Sequence, residues 1–228
     1  MIGSGCVIAI GGNENKRGAH SSILGSFVRR AGGPVARIVI IPSASEEPRA
    51  RAAHYTRIFR RLGTQKVTTI HAERRNVTAE EREALRTATG IFVTGGNQQM
   101  LMEHLRATDL VELIRTAVHH GAVYAGTSAG ASAASATMIA GSDGDLVHID
   151  EGLGLIPDVI IDQHFGERSR LPRLKLAVKW QQMTGMGIDE DTAVVWSAAG
   201  DRVTVTIEGV GNVTVVDPQH KIHVLAAK

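Results

Sequence analysis

Cysteine is all but missing from this 228-residue chain: Cys6 stands alone, so no intrachain disulfide can form and no cysteine pair exists to hold zinc. That thiol lies in an apolar run at 6–10, which predicts a buried structural residue rather than a nucleophile or a ligand. No charge of one sign dominates, because 25 Lys and Arg stand against 23 Asp and Glu without a basic block, leaving a formal net charge of +2. Nucleic acid therefore has no electrostatic footprint to bind. No apolar stretch approaches the roughly 20 residues that span a bilayer, and the N-terminus lacks a basic region followed by a long apolar run. The expectation is a protein with neither nucleic-acid nor membrane partners and a cytoplasmic location. Also absent are a G-x-G-x-x-G after the first strand, a P-loop lysine pattern and an H-E-x-x-H, so dinucleotide, phosphate and zinc chemistry lack their usual signatures. Without repeats or a low-complexity linker, residues 1–228 are expected to fold as one domain.

What is present is a 43% hydrophobic chain, long enough to bury a full core, with short β-branched runs at 7–10, 37–41, 66–70, 91–93, 123–125 and 159–161. Amphipathic segments at 21–31, 48–62, 79–88, 98–105, 110–120, 129–139 and 172–183 read as helices between and after them. Nearly continuous apolar strands alternating with helices predict an α/β fold, with a doubly wound, mostly parallel sheet covered on both faces. After Gly185 the pattern changes to short strands at 193–197, 202–208 and 212–217, separated by turn residues. This tail reads as an antiparallel extension of the main sheet or a ribbon on its edge.

The run Gly126-Thr127-Ser128-Ala129-Gly130 leads from an apolar strand into small residues and contains a G-x-S-x-G. Small neighbours let a serine sit on a tight strand-to-helix turn with its hydroxyl exposed, and the amide of Ala129 can face an oxyanion. A tightly packed or phosphate-binding turn would use the same small residues. A second glycine turn, Thr94-Gly95-Gly96-Asn97-Gln98, should end on the same sheet edge, where an amide from Gly96 or Asn97 completes an oxyanion hole. The plainer alternative makes Asn97 the N-cap of a helix. A serine needs a base, and His164 is distinct among ten histidines because it follows a strand directly in Asp162-Gln163-His164-Phe165. Arg168, Arg170 and Arg173 then crowd a helix start, where the macrodipole disfavours positive charge. A substrate carboxylate or Glu167 would offset them.

Taken together, Gly95-Gly96-Asn97-Gln98, Gly126 to Ala131, Asp162 to Phe165 and Gly187-Ile188-Asp189-Glu190-Asp191-Thr192-Ala193 resemble the cyanophycinase family. Similarity extends to Gly11-Gly12-Asn13-Glu14-Asn15-Lys16 and Ile41-Pro42-Ser43-Ala44-Ser45, so the resemblance covers most of the chain in order. It implies a fold like that of class I glutamine amidotransferases (flavodoxin-like) and a serine exopeptidase that releases β-Asp-Arg dipeptides from cyanophycin. By the resemblance Ser128 is the nucleophile, His164 the base and Glu190 its carboxylate partner. Gln98, Gln163, Arg168, Arg170 and Arg173 line the substrate pocket; no metal or cofactor is implied, and a homodimer is. Two departures stand out: Asn15 replaces an expected aspartate, and the segment 141–150 is short. The related peptidase E takes its acidic triad member from that region, where Asp143 or Asp145 would serve. The alternatives to a cyanophycinase are an isoaspartyl or α-aspartyl dipeptidase and a catalytically silent binding protein on the same scaffold.

Overall fold

The computed structural model describes residues 4–14, 23–74, 76–143, 146–200 and 202–227. The first half alternates strand and helix: β1 (Cys6–Ile10), α1 (Ile23–Arg30), β2 (Arg37–Ile41), α2 (Pro48–Arg61), β3 (Lys66–Thr69), α3 (Ala79–Arg86), β4 (Gly90–Val93), α4 (Gln98–Arg106), α5 (Leu110–His119) and β5 (Val123–Thr127). Then come α6 (Ala129–Ala133), β6 (Thr137–Asp143), β7 (Leu146–Glu151), β8 (Val159–Gln163), α7 (Leu171–Gln181), β9 (Thr184–Ile188), β10 (Thr192–Ala199), β11 (Arg202–Gly209), β12 (Asn212–Val216) and β13 (Ile222–Ala226).

The main sheet runs β11-β10-β1-β5-β4-β2-β3. Strands β1 to β5 are parallel, and β10 and β11 extend one edge antiparallel. Because side chains alternate between the faces of a strand, β1 sends Val7 and Ala9 to one core and Ile8 and Ile10 to the other. The second face is covered by Phe27 of α1 and Tyr55, Ile58 and Phe59 of α2, whose aromatic rings meet Phe92 at centroid distances of 4.5–5.8 Å. The first face takes Leu85 of α3, Leu101 and Leu105 of α4 and Ile114 of α5. The sheet is thus wound on both faces, as its apolar strands require.

The last third departs from the sequence expectation in two ways. Strand β8 leaves the main sheet and joins a second, four-stranded sheet of order β13-β12-β9-β8, in which only β8 and β9 are parallel. The antiparallel tail is therefore divided: β10 and β11 go to the main sheet, β12 and β13 to the second. The helix expected over 129–139 ends at Ala133, and a β6–β7 hairpin follows. Ala and Ser at these positions permit a helix, but segment 152–156 captures the backbone instead. Leu153 N–H bonds Ala133 O at 2.6 Å, Leu155 N–H bonds Ala134 O at 3.0 Å, and Ala136 N–H bonds Ile156 O at 2.9 Å. Among the described residues no helix is long and apolar enough to cross a membrane.

Candidate active site

Four chain segments meet beyond the carboxyl ends of the parallel strands, around an open cleft of about 860 Å³. The turn after β5 carries Ser128, whose φ of 53° and ψ of −110° lie outside the usual regions for an L-residue. Such strain costs on the order of 1–3 kcal/mol and persists only where neighbours hold it. Here Ser128 N–H bonds Ile10 O at 2.9 Å, tying the turn to β1. The hydroxyl consequently sits at the head of α6 with small residues on both sides.

His164 comes from the second sheet, one residue after β8, also at positive φ (47°). Its amide bonds Gly11 O at 2.8 Å, which draws β8 against the turn following β1. Gly12 makes room for the ring: at φ 117° it avoids the left-handed penalty, and a Cβ there would lie 2.2 Å from His164 Cε1. The imidazole reaches Ser128 Oγ with Nε2 at 3.0 Å and Glu190 Oε1 with Nδ1 at 2.6 Å. Glu190 itself stands in the crossover from β9 in the second sheet to β10 in the main sheet. Burial pushes its carboxyl up, but hydrogen bonds from His164 and Asn13 and the charges of His164 and Arg168 outweigh that and hold it below its ordinary value. A neutral His164 donating Nδ1–H to Glu190 presents a bare Nε2 to the serine hydroxyl, the arrangement needed for proton abstraction.

The glycine turn after β4 faces Ser128, but its two amides differ. Asn97 N–H is engaged by Ala44 O at 2.8 Å, and its Oδ1 accepts from Met100 N–H at 3.0 Å. Asn97 is thus the N-cap of α4 and has no backbone amide to offer an oxyanion. Gly96 N–H and Ala129 N–H have no partner among the described residues. Gly96 cannot be replaced, since a Cβ on it would lie 1.9 Å from Ala44 O.

The arginines are also unequal. Arg170 and Arg173 both bind Asp162, whose side chain is wholly buried: Arg170 Nη1 lies 3.1 Å from Oδ1 and Arg173 Nε 2.7 Å from Oδ2. Asp162, rather than Glu167 or a ligand, offsets the charge at the start of α7. The terminal Asp162-Gln163 pair of β8 carried that information, which charge counting over 166–174 overlooked. Arg170 Nη1 also bonds Gln163 O at 2.6 Å and Gln163 Oε1 at 2.8 Å, fixing the carboxamide beside Ser128. Burial, with the charges of Arg173 and Arg168, lowers the pKa of Arg170 despite Asp162. Arg173 is absent from the cleft lining. Arg168 lines it, and its side chain forms no hydrogen bond or ion pair among the described residues. Gln98 lines the cleft as well, with Nε2 bonded to Ile139 O at 2.9 Å and Ala140 O at 3.1 Å, so it holds the β6 wall in place.

Glu167 accepts from Glu190 N–H at 3.1 Å. Asp143 is exposed at the end of β6 and does not line the cleft, while Asn15 and Asp145 lie outside the described residues. Sequence reasoning assigned no role to Asn13, Glu14 or Asp162. Buried Glu14 accepts from Tyr55 Oη at 2.5 Å and Thr127 Oγ1 at 2.6 Å, anchoring the residue before Ser128. Its signal was the glycine turn following β1, which topology brings to the same edge as Ser128.

The sequence profile of Peptidase family S51 matches residues 7–205, all of the chain that carries the site, with β12 and β13 beyond the match. The chain belongs to this family. As an S51 member it is a serine-type peptidase. A cyanophycinase from Trichormus variabilis is 42% identical over 95% of this chain and 75% of its own length. A peptidase E from Shewanella amazonensis is 31% identical over 56% of this chain and 57% of its own. Among solved structures, a peptidase from an acI-B1 Actinobacterium superposes with a TM-score of 0.76 at 23% identity, over 98% of this chain and 94% of that one. At that identity the likeness shows a shared fold.

Proposed function

We propose that this S51 peptidase is a cyanophycinase that hydrolyses the peptide bonds joining β-Asp-Arg units and releases β-Asp-Arg dipeptides, with Ser128, His164 and Glu190 as its triad. The observation that carries the reading is the continuous hydrogen-bonded line from Ser128 Oγ through His164 to Glu190 Oε1, at 3.0 and 2.6 Å. Ser128 Oγ attacks the carbonyl carbon of the backbone peptide bond between two aspartates, leaving the β-amide to arginine intact; a C–O bond forms, and the hydroxyl proton passes to His164 Nε2. Gly96 N–H and Ala129 N–H receive the oxyanion. When the intermediate collapses, the C–N bond breaks and His164 gives its proton to the leaving amine. A water deprotonated by His164 then attacks the acyl-enzyme, and its proton returns to Ser128 as the acid departs.

Arg168 is the group available for the free carboxylate beside a β-linkage, which an ordinary internal peptide lacks; Gln163, set by Arg170, assists it. Cleavage of small β- or α-aspartyl dipeptides is the second reading, supported by the similarity to peptidase E and by the openness of the cleft. Insoluble cyanophycin should be offered beside β-Asp-Arg, β-Asp-Leu and α-Asp-Leu, with Ser128→Ala as control and products identified by mass. Release of β-Asp-Arg from the polymer is expected; cleavage confined to dipeptides would replace cyanophycinase with the second reading, and activity retained in Ser128→Ala would end the mechanism. A homodimer is part of the proposal, supported by exposed Val203 and Val205 on edge strand β11, and sedimentation velocity reads it directly.

A further inference from the structure

Asn13 stands where the two sheets are stitched together at the site. It follows Gly11, whose carbonyl accepts from His164 N–H at 2.8 Å, and Gly12, whose carbonyl accepts from Asp191 N–H at 2.9 Å. The backbone at Asn13 is left-handed, with φ 45°, a conformation in which asparagine is among the least disfavoured non-glycine residues. Its side chain extends to the carboxylate that partners His164: Nδ2 donates to Glu190 Oε2 at 2.9 Å, while Oε1 of the same group faces His164 Nδ1 at 2.6 Å. Both carboxylate oxygens are therefore fixed, one by the base and the other by Asn13. Glu190 extends from a turn on three rotatable bonds, with its amide held by Glu167 at 3.1 Å. Asn13 is the contact besides His164 itself that holds the carboxyl group, and so the one that can fix its rotation independently of the base.

We infer that Asn13 is a positioning residue for catalysis, acting through Glu190 to hold the carboxylate face that orients His164. This rests on the triad reading of Ser128, His164 and Glu190. Two properties of asparagine are used at once, tolerance of the left-handed backbone and an amide donor, and they can be separated. Asn13→Asp keeps shape and backbone tolerance but sets a carboxylate against Glu190. Asn13→Gly keeps the backbone and removes the side chain. Because Asn13 is exposed, neither change should unfold the protein.

The test measures kcat and KM on cyanophycin for the wild type, both Asn13 variants, Glu190→Gln and the double variant Asn13→Gly with Glu190→Gln, with a thermal melt of each. Misplacing a catalytic group typically lowers turnover about 100-fold, so each Asn13 variant should lose kcat on that scale with KM unchanged. In the double variant the Asn13 change should cost nothing further, because its route of action is already broken. Asn13 variants within about twofold of wild type, beside a disabled Glu190→Gln, would overturn the positioning role and leave the triad standing. Additive losses would also overturn it, by showing that Asn13 acts elsewhere. Full activity in Glu190→Gln would remove the triad reading and this inference with it.

Discussion

Ser128, His164 and Asn13 all have positive φ, at 53°, 47° and 45°, and each is locked by a neighbour rather than by its own preference. Backbone strain gathered on residues of one hydrogen-bonded chain, Ser128 to His164 and, through Glu190, to Asn13, marks a site where geometry is held against local cost. Gly12 is the clearest dependency, because its missing Cβ is the space that the His164 ring fills. Gly12→Ala should displace the imidazole and lower kcat by about 100-fold or more while the far-ultraviolet circular dichroism stays native. Asn97 shows the opposite case, in which the plain capping role foreseen for it is the one its hydrogen bonds perform. Charge at Glu190 also links the site to stability. Its folded pKa lies below the ordinary 4.5, so the stability it contributes is present above that value and is lost as pH falls through the folded pKa. Between about pH 6 and about pH 3 the wild type should lose more melting temperature than Glu190→Gln does.

At the scale of elements, local signals were reliable where a helix carries its own punctuation. Thr78 and Glu81 form a reciprocal capping box at the start of α3, with bonds of 3.2 and 2.9 Å. Thr78→Ala should destabilise the protein by about 1 kcal/mol in urea unfolding, with activity unchanged because α3 is remote from the cleft. The main-sheet strands were equally legible, since each is rich in β-branched residues or apolar throughout and lies between turn residues. The β6–β7 hairpin was not. Its sequence continues from a run of alanines that would sustain a helix, and the choice is made by hydrogen bonds from residues 152–156, some twenty positions away. No window of local periodicity contains that partner.

Considered whole, the molecule places its candidate triad across two sheets: Ser128 follows main-sheet β5, His164 follows β8 of the second sheet, and Glu190 lies in the crossover that joins them. Relative movement of the sheets would separate base from nucleophile, so the site calls for one cooperative unit. Trp196 lies in main-sheet β10 and Trp180 in α7, which packs on β9. Single-tryptophan variants Trp180→Phe and Trp196→Phe should therefore unfold with coincident urea midpoints that match the loss of activity. Separate midpoints would divide the chain into two domains. The sequence by itself determined the doubly wound sheet, the serine turn and the candidacy of His164, because strand hydrophobicity, small-residue turns and a histidine at a strand end are local properties; Glu190 was indicated by the family resemblance alone. The tertiary structure alone decided that β8 leaves the main sheet, that Asp162 occupies two of the three arginines, and that Asn13 meets Glu190. Each of these is a contact between residues whose pairing depends on which strands lie side by side, and strand neighbourhood is set by packing of the whole chain.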